Sequence, residues 1–276
     1  MKFNKDIVYS KSSYFWIPIY YDKKNDIYFC EPESKEFVSK FYEKEYWDNF
    51  SRKKKISMKN RVFKIINILF YYFNLIELKY ISDIRIIEKY YDFHKGKKIL
   101  EIWSWKWFII NYFKSKWYLI NWVEGEKEFS KKINSKHLNT IYNWNYEDII
   151  INQKFDIIYL RHVLEHFLNL SDFINQANRN LNKDWIIYIN IPNCGSKYYR
   201  NDSIYNHPHI FHFTQKSLSK FFKNNWYEEI HLWTYNWIKN NNFIRLFINR
   251  FFQKNCLIQE NENKSEFIIW IFKKIK

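Results

Sequence analysis

The chain has 276 residues, of which 47% are hydrophobic and 22% aromatic, with a formal net charge of +16, three cysteines and three glycines. This length predicts one domain, or one domain with an appendage, and the composition excludes a disordered or collagen-like chain. The scattered cysteines form neither a disulfide framework nor a CxxC zinc pair. The charge would suit anionic partners such as nucleic acid. The lysines are spread along the whole chain, however, which favours the interpretation that codon bias placed them on a solvated surface.

Glycine is scarce and tryptophan abundant. A usual glycine share of about 7% would give roughly 19 glycines at this length, whereas the chain has 3 glycines and 13 tryptophans. Tryptophan follows Asn or Asp at Trp122, Trp144, Trp185 and Trp226, where Asn-Gly or Asp-Gly is ordinary turn chemistry. We hypothesise that many tryptophans stand where the natural protein has glycine, because a UGA codon read as glycine was translated as tryptophan. The alternative is that the tryptophans are genuine and the protein is a damaged copy.

Residues 1–95 are predicted to form an amino-terminal α/β extension or lid. Residues 17–29 (IPIYYDKKNDIYF) favour two short strands around a turn, and residues 34–50 have apolar residues at helical spacing. A second amphipathic stretch at 58–78 is interpreted as a core-packing or lid helix, although its basic flank leaves a membrane-surface contact open. The chain start has no apolar stretch before a small-residue cleavage site, so we expect a cytoplasmic protein.

From Lys97 onwards, short apolar runs alternate with helical segments. Strands that alternate with helices of about ten residues predict βαβ units on a parallel sheet. The last two strands are predicted to form an antiparallel pair that encloses a helical insertion at about 238–264. We therefore predict an α/β fold for residues 96–276, a seven-stranded, mostly parallel sheet with a terminal antiparallel strand. The predicted strands are 97–102, 118–124, 140–143, 155–163, 185–193, 227–235 and 266–274.

The first strand of this sheet ends in residues 101–107 (EIWSWKW), directly before a helix. With glycine at 103, 105 and 107 the segment reads E-I-G-S-G-K-G, which resembles the first motif of the class I S-adenosylmethionine-dependent methyltransferases. A dinucleotide-binding turn needs GxGxxG, and Phe108 occupies the place of its third glycine. Genuine tryptophans would block the approach of the backbone to the cofactor and predict a non-catalytic Rossmann-like protein.

The resemblance covers about residues 90–235 and, more loosely, the last strand. Glu124 matches the acid that holds both ribose hydroxyls in the family, a role that suits a carboxylate because it accepts two hydrogen bonds. Residues 145–148 resemble the segment beside the adenine ring, and later motifs match at 155–167 and 181–193. The resemblance implies a Rossmann-like fold with S-adenosylmethionine as cofactor. The cofactor-binding residues that it implies are Glu101, Trp103, Ser104, Trp105, Trp107, Glu124, Asn145, Tyr146, Glu147 and Arg161.

The catalytic residues are predicted to lie just after the fourth strand. His162, Glu165 and His166 stand at i, i+3 and i+4, on one side of a helical turn at the sheet edge where ligands bind. We predict His166 as the general base, with His162 as a second catalytic residue, because imidazole titrates in the useful range. Alternatively, Glu165 and His166 only shape the helix start and stack on the cofactor. With His209 or His212 these residues match the metal-binding ExxEH motif of some methyltransferases, but His162 replaces its first Glu, so we predict no metal.

The segment after the fifth strand, at 207–229, resembles a later block of the family that helps to cover the acceptor, and it provides His209 and His212. These histidines and Tyr199 are the predicted substrate-binding residues, although a satisfied loop network is an alternative for the histidines. The chain lacks a [DNS]-P-P-[YFW] motif after the fourth strand, a Pro-Cys pair and a separate RNA-binding module. The resemblance to the small-molecule branch of the family, whose members often have a similar amino-terminal section, implies a small-molecule acceptor such as a sugar or polysaccharide precursor. An RNA methyltransferase is the alternative among enzymes.

Overall fold

The fold is described from a computed structural model of the chain. The described residues are 3–41, 78–91, 96–103, 110, 113–114, 118–124, 141–142, 146, 148–237, 248–249, 251–252 and 257–275. Twelve strands and five α-helices have their bounds within these residues. The strands are β1 (Ile7–Ser10), β2 (Ile19–Asp22), β3 (Ile27–Cys30), β4 (Lys98–Ile102), β5 (Leu119–Val123), β6 (Ile141–Tyr142), β7 (Phe155–Arg161), β8 (Leu181–Pro192), β9 (Phe211–His212), β10 (Tyr227–Trp237), β11 (Leu257–Glu260) and β12 (Phe267–Lys274). The helices are α1 (Lys35–Lys40), α2 (Leu78–Tyr90), α3 (Leu170–Asn180), α4 (Lys197–Asn206) and α5 (Gln215–Lys223), and short 3-10 helices span Leu164–His166 and Glu262–Lys264.

Eight strands form the main sheet, in the order β11-β10-β12-β8-β7-β4-β5-β6. The neighbours from β8 to β6 pair in parallel, whereas β12 pairs antiparallel with both β8 and β10. The predicted α/β fold, a mostly parallel sheet with a terminal antiparallel strand, is confirmed. The segment Leu257–Glu260, predicted as part of the helical insertion, adds β11 at the sheet edge beside β10.

The order of the strands reverses at β4. The chain passes from β4 to β5 and β6 on one side and then returns to β7 on the other side of β4. Ile102 of β4 lies beside Val123 of β5 and Leu160 of β7. Ligands of open α/β sheets bind at such a switch point, beyond the carboxyl ends of the strands. The residues that follow β4, β5 and β7 therefore share the edge of the sheet at which the sequence predicts the site.

The sheet is buried on both faces because neighbouring residues of its strands point in opposite directions. Leu100 and Ile158 belong to one hydrophobic cluster, which α3 and α5 cover with residues such as Phe173 and Phe222. Alternate strand residues belong to a second cluster, which α2 covers. Helix α3 begins at Asn169, whose side chain accepts a hydrogen bond from the backbone N–H of Ser171, so a local cap starts a helix that the core then holds.

A second sheet joins the amino-terminal section to the carboxyl half of the chain. Its four strands, in the order β1-β2-β3-β9, pair antiparallel. The two strands predicted around a turn are β2 and β3, and Asp22 holds this turn by accepting a hydrogen bond from the backbone N–H of Asn25 at 3.0 Å. Tyr28 of β3 lies opposite His212 of β9. The division of the chain near residue 95 stays a prediction, but residues 7–30 pack as part of the unit that carries His212.

No helix in the described part of the chain is both long enough and apolar enough to span a membrane. The lid or membrane-surface helix predicted at 58–78 falls on residues that, apart from position 78, lie outside the described residues. Most of the helical insertion predicted at about 238–264 lies outside them as well. The roles predicted for both segments therefore stay predictions.

Candidate functional site

Trp103 follows β4 in a backbone conformation that favours glycine. Its φ is 51°, in the left-handed region where a Cβ atom causes steric strain. The backbone N–H of Trp103 donates to the carbonyl oxygen of Val123 at 2.9 Å, which ties the turn to the end of β5. The indole stacks on the ring of Phe167, and its buried Nε1 has no hydrogen-bond partner among the described residues. The backbone of this turn is thus built for a residue without a side chain.

Two other tryptophans share this property. Six residues other than glycine have a positive φ in the described part of the chain, and three of them are tryptophans: Trp16 (62°), Trp103 (51°) and Trp226 (66°). Tryptophan has no preference for this region, whereas glycine does. The side chains of Trp16 and Trp226 are 86% and 61% exposed, so packing does not explain the residue type. These angles support the glycine hypothesis at the three positions.

The other tryptophans named in the hypothesis behave differently. Trp122 is fully buried inside β5, where an extended backbone gives no reason for glycine. In the Asp184-Trp185 turn it is Asp184 that has a positive φ, at 65°. Trp144 lies outside the described residues. The backbone therefore supports the hypothesis at particular positions and not at every tryptophan.

Besides Trp103, three acidic or aromatic residues of the predicted cofactor site are within the described residues. Glu101 is buried in β4, and Glu124 is half-buried directly after β5. Tyr146 is buried; its hydroxyl group donates to Asn180 Oδ1 at 3.3 Å, and its ring meets the ring of Phe167 edge-on. Tyr146 and Trp103 therefore contact the same phenyl ring. The remaining residues predicted for the cofactor turn and the adenine segment lie outside the described residues, and their roles stay predictions: Ser104, Trp105, Trp107, Asn145 and Glu147.

Arg161, at the end of β7, binds a buried carboxylate that the sequence did not indicate. Its Nη1 lies 2.7 Å from Asp83 Oδ2, and Asp83 also accepts hydrogen bonds from Tyr159, Tyr188 and Asn190. Asp83 lies in α2, on the other side of the sheet from Phe167. A cofactor contact for Arg161 stays a prediction. The only signal in the sequence is one acid within the apolar run YISDIRII.

The 3-10 helix after β7 brings the predicted catalytic residues together. His162 has a φ of 51°, and its backbone N–H donates to the carbonyl oxygen of Asn190 at 2.8 Å. Its Nδ1 lies 3.5 Å from Glu165 Oε1. The Glu165 side chain is buried, and neither carboxylate oxygen has a hydrogen-bond partner among the described residues. His162 and Glu165 are therefore close, as predicted, but not through a shared helical turn, because the 3-10 helix begins at Leu164 and His162 precedes it with a left-handed backbone.

The histidines predicted to bind substrate meet this carboxylate from the segment after α4. Nε2 of His209 lies 3.9 Å from Glu165 Oε1, and the rings of His166 and His209 have centroids 4.8 Å apart. Ser203 Oγ lies 2.6 Å from Nδ1 of His209 and 2.8 Å from Nδ1 of His212. Sequence reasoning missed Ser203, because nothing in a helical serine indicates that it bridges two histidines. Tyr199 is half-buried one helical turn before Ser203.

Burial controls the charge of this cluster, which we define as Glu165, His166, His209 and His212. Desolvation raises the pKa of Glu165 to about 8. It lowers the pKa of His166 to about 4 and that of His212 to about 3, and it lowers the pKa of His209 well below its ordinary value. A buried imidazolium has lost its hydration without gaining a charged partner, so these histidines are neutral near pH 7.

The amino-terminal sheet holds the segment that carries His209. The backbone N–H of Cys30 donates to the carbonyl oxygen of Ile210 at 3.0 Å. The backbone N–H of Ile210 in turn donates to the carbonyl oxygen of Glu165 at 2.8 Å. The thiol of Cys30 donates to the carbonyl oxygen of His209 at 3.6 Å. A continuous set of backbone contacts therefore runs from β3 through Ile210 to Glu165. The amino-terminal extension therefore contacts the segment that carries His209 and holds it against Glu165.

Comparisons with known proteins agree with this geometry. The family model described as a methyltransferase domain matches residues 90–232. The fold is similar to that of a SAM-dependent methyltransferase from Thermotoga maritima, at 13% identity and a TM-score of 0.52, covering 77% of this chain and 97% of the other. An S-adenosylmethionine-dependent methyltransferase from Clostridium acetobutylicum ATCC 824 is similar at 12% identity and a TM-score of 0.50, covering 79% and 100%. A SAM-dependent methyltransferase from Archaeoglobus fulgidus is similar at 14% identity and 0.50, covering 69% and 92%. Among proteins of curated function, none matches the sequence.

Proposed function

The chain belongs to the methyltransferase-domain family as a class I S-adenosylmethionine-dependent enzyme, and on this premise we propose that it methylates a hydroxyl group of a small, polyhydroxylated acceptor such as a sugar or polysaccharide precursor. The observation that carries the proposal is the buried cluster beyond the carboxyl end of β7. Its groups are the carboxyl group of Glu165, which has no hydrogen-bond partner among the described residues, and imidazoles with lone pairs. Such a surface is complementary to hydroxyl groups, which both donate and accept hydrogen bonds.

The enclosure of the cluster supports a small acceptor over RNA. Glu165 is 1% exposed, and His209 and His212 are also buried. The hydrogen bonds of β3 and β9 close the site from the side of the amino-terminal section. Sequence-specific RNA binding instead uses exposed stacking platforms and basic grooves that a strand can follow. An enclosed polar cluster admits a compact molecule more readily than a polynucleotide.

The described residues fit the cofactor when position 103 is glycine. The φ of 51° and the indole Nε1 that is buried without a partner among the described residues both support glycine rather than tryptophan at this position. Glycine there would free the face of Phe167 beside the turn. The turn from 103 to 107, Glu124 and Tyr146 would then hold S-adenosylmethionine, which supplies an electrophilic methyl group on a sulfonium.

The chain's own residues would bind and orient the acceptor. The carbonyl oxygen of Pro208 can only accept, so Nδ1 of His166, at 3.0 Å, carries its proton, and Nε2 is left with a lone pair. That nitrogen is the proposed site for the proton of the acceptor hydroxyl. His162, at the exposed side of Glu165, would position the same group. Methyl transfer needs this alignment most, because the displacement is in line.

The proposal is tested with protein that has glycine at 103, 105 and 107. Calorimetry measures its binding to S-adenosylmethionine and to the demethylated product, and radiolabelled methyl transfer is measured with nucleotide sugars, oligosaccharides and total RNA. We expect both cofactor forms to bind and the label to enter a hydroxylated small molecule. Label in RNA alone would replace the proposed acceptor with the alternative, and no binding of either cofactor form would end the enzymatic interpretation.

A further inference from the structure

We propose that Glu165, His166 and His209 form a binding site for one divalent transition-metal cation, with Zn²⁺ as its model ligand. The ligand atoms of these three residues lie within 4.8 Å of one another. Two of the residues come from the 3-10 helix after β7, and the third comes from the segment between α4 and β9. The sequence alone favoured no metal because His162 replaces a glutamate, but the site in the structure does not need position 162 as a ligand.

The first argument is the absence of donors. Both oxygens of Glu165 are buried without a hydrogen-bond partner among the described residues. The charged form of such a group is costly to bury unless it is paired or binds a cation, and a bound cation would take the place of its proton. Nδ1 of His166 lies 3.0 Å from the carbonyl oxygen of Pro208 and must be the protonated nitrogen, so its Nε2 offers a lone pair. Glu165 and His166 can therefore both offer a lone pair to one cation, since their ligand atoms lie within 4.8 Å of each other.

The second argument is the tautomer of His209. Ser203 Oγ contacts Nδ1 of both His209 and His212, and one hydroxyl can donate to only one of them. If Nε2 of His209 were protonated, it would donate to Glu165 Oε1, but those atoms are 3.9 Å apart, beyond hydrogen-bond distance. A proton on Nε2 would therefore have no acceptor at Glu165. The other tautomer avoids this, because the proton is then on Nδ1 of His209, which donates to Ser203 Oγ. Nε2 of His209 then also carries a lone pair toward Glu165.

The surroundings match those of metal-binding histidines. A histidine that binds a metal usually donates its other ring N–H to a carbonyl, a carboxylate or a similar acceptor, which fixes the ring. Pro208 provides that acceptor for His166, and Ser203 provides it for His209. These two contacts are independent of each other and use different elements. Both leave Nε2 as the nitrogen with the lone pair, as metal binding requires.

The donor set selects the kind of metal. Two imidazoles and one carboxylate are a common Zn²⁺ set, with bonds of about 2.0–2.2 Å that leave neighbouring ligand atoms roughly 3.4 Å apart in a tetrahedron. Glu165 Oε1 and His209 Nε2 are 3.9 Å apart, and the three ligand atoms lie within 4.8 Å of one another. Both distances exceed the tetrahedral value, so the side chains would rotate inward on binding the cation. Mg²⁺ and Ca²⁺ are disfavoured because they prefer oxygen ligands.

The role of the cation rests on the proposed function. Three protein ligands leave a fourth position open, as catalytic zinc sites do. The hydroxyl oxygen of the acceptor could bind there, and the metal would lower the pKa of that hydroxyl. His166 would then act as a ligand and would no longer be needed as the proton acceptor. Metal binding itself needs neither cofactor nor acceptor, so it is tested separately.

The test uses the tag-free full chain, stripped with a chelator and titrated with Zn²⁺ alone in competition with a chromophoric chelator. Co²⁺ absorption spectra report the coordination number in parallel. We expect one Zn²⁺ per chain and a four-coordinate Co²⁺ spectrum. Glu165→Gln and His209→Asn should each weaken Zn²⁺ binding by about 100-fold, and Ser203→Ala by about 10-fold. His231→Asn, which changes a buried histidine on another part of the sheet, is the matched control and should bind as the unchanged chain does.

Circular dichroism of each variant shows that it is folded, and Ser203→Ala keeps the test valid if a ligand variant does not fold. Absence of Zn²⁺ binding by the unchanged chain overturns the proposal. Equal Zn²⁺ binding by the ligand variants and the control also overturns it. Zn²⁺ binding that these variants lose, in a protein that transfers no methyl group to any small acceptor, keeps the metal site and rejects the proposed function.

Discussion

The indole of Trp103 lies parallel to the phenyl ring of Phe167, with an interplanar angle of 5° and ring centroids 5.8 Å apart. This stack occupies the space beside the turn after β4, at the switch point of the sheet. The backbone of Trp103 nevertheless has the φ of a glycine. The side chain and the backbone at this position therefore conflict, and the conflict lies where a methyltransferase must admit its cofactor.

The first prediction concerns that conflict. Replacing Trp103, Trp105 and Trp107 with glycine should create binding of S-adenosylmethionine, measured by calorimetry, where the chain with tryptophans has little or none. The physical reason is the removal of the indole from the turn and the recovery of close backbone approach. Trp237→Gly is a control with the same chemical change outside the turn and should not create binding. Tight binding by the chain with all three tryptophans would contradict the steric argument.

The second prediction compares two tryptophans by stability. Trp226→Gly should raise the free energy of unfolding by about 1 kcal/mol, because glycine relieves the backbone strain at a φ of 66°. Little packing is lost, because the side chain is exposed. Trp270→Gly should lower it by about 3–5 kcal/mol, because Trp270 is fully buried in β12. Urea unfolding followed by circular dichroism measures both. Equal destabilisation by the two changes would remove the support that the backbone gives to the glycine hypothesis.

The third prediction concerns Asp83. Asp83→Asn should destabilise the protein by about 3–5 kcal/mol, because it leaves the buried guanidinium of Arg161 without its counter-charge. Glu88→Gln breaks a pair with Arg85 on the exposed surface of the same helix and should cost less than about 1 kcal/mol. Chemical unfolding of both variants gives the comparison. If the two losses were similar, Arg161 would not depend on Asp83, and its guanidinium would be available for another partner.

The fourth prediction concerns acid stability and His231. The ring of His231 stacks on Tyr90 at 4.1 Å, and burial lowers its pKa to about 4, below the value of about 6.5 in an unfolded chain. Between these values the unfolded state binds the extra proton, so stability falls as the pH falls from about 6.5 to 4, by up to about 1.4 kcal/mol per pH unit from this group.

His231→Gln has no such group and should lose less stability over this range than the unchanged chain. Unfolding midpoints measured at several pH values between 4 and 7 test the difference. The other buried histidines are present in both proteins, so their contributions to the pH dependence of stability cancel in the comparison. Parallel stability curves for the two proteins would show that His231 keeps an ordinary pKa in the fold.

Local patterns in the sequence determined the order of the elements and the identity of most site residues. Apolar runs of strand length alternate with helical segments, so the parallel sheet and its terminal antiparallel strand were predictable before any contact was known. The spacing of His162, Glu165 and His166 likewise predicted that they lie close together, although only Glu165 and His166 belong to the 3-10 helix. Local spacing carries this information because it depends only on the geometry of neighbouring residues.

Only the tertiary structure decided what these residues face. The contact of Glu165 with His209, the bridge from Ser203 to two histidines and the pairing of β3 with β9 each join segments that are far apart in the chain. The partnership of Asp83 with Arg161 also crosses from a helix to a strand. Hydrophobic burial brings such segments together without leaving a local pattern, because it depends on summed apolar area rather than on spacing. The pKa shifts of the cluster follow from that burial and could not be predicted from sequence alone.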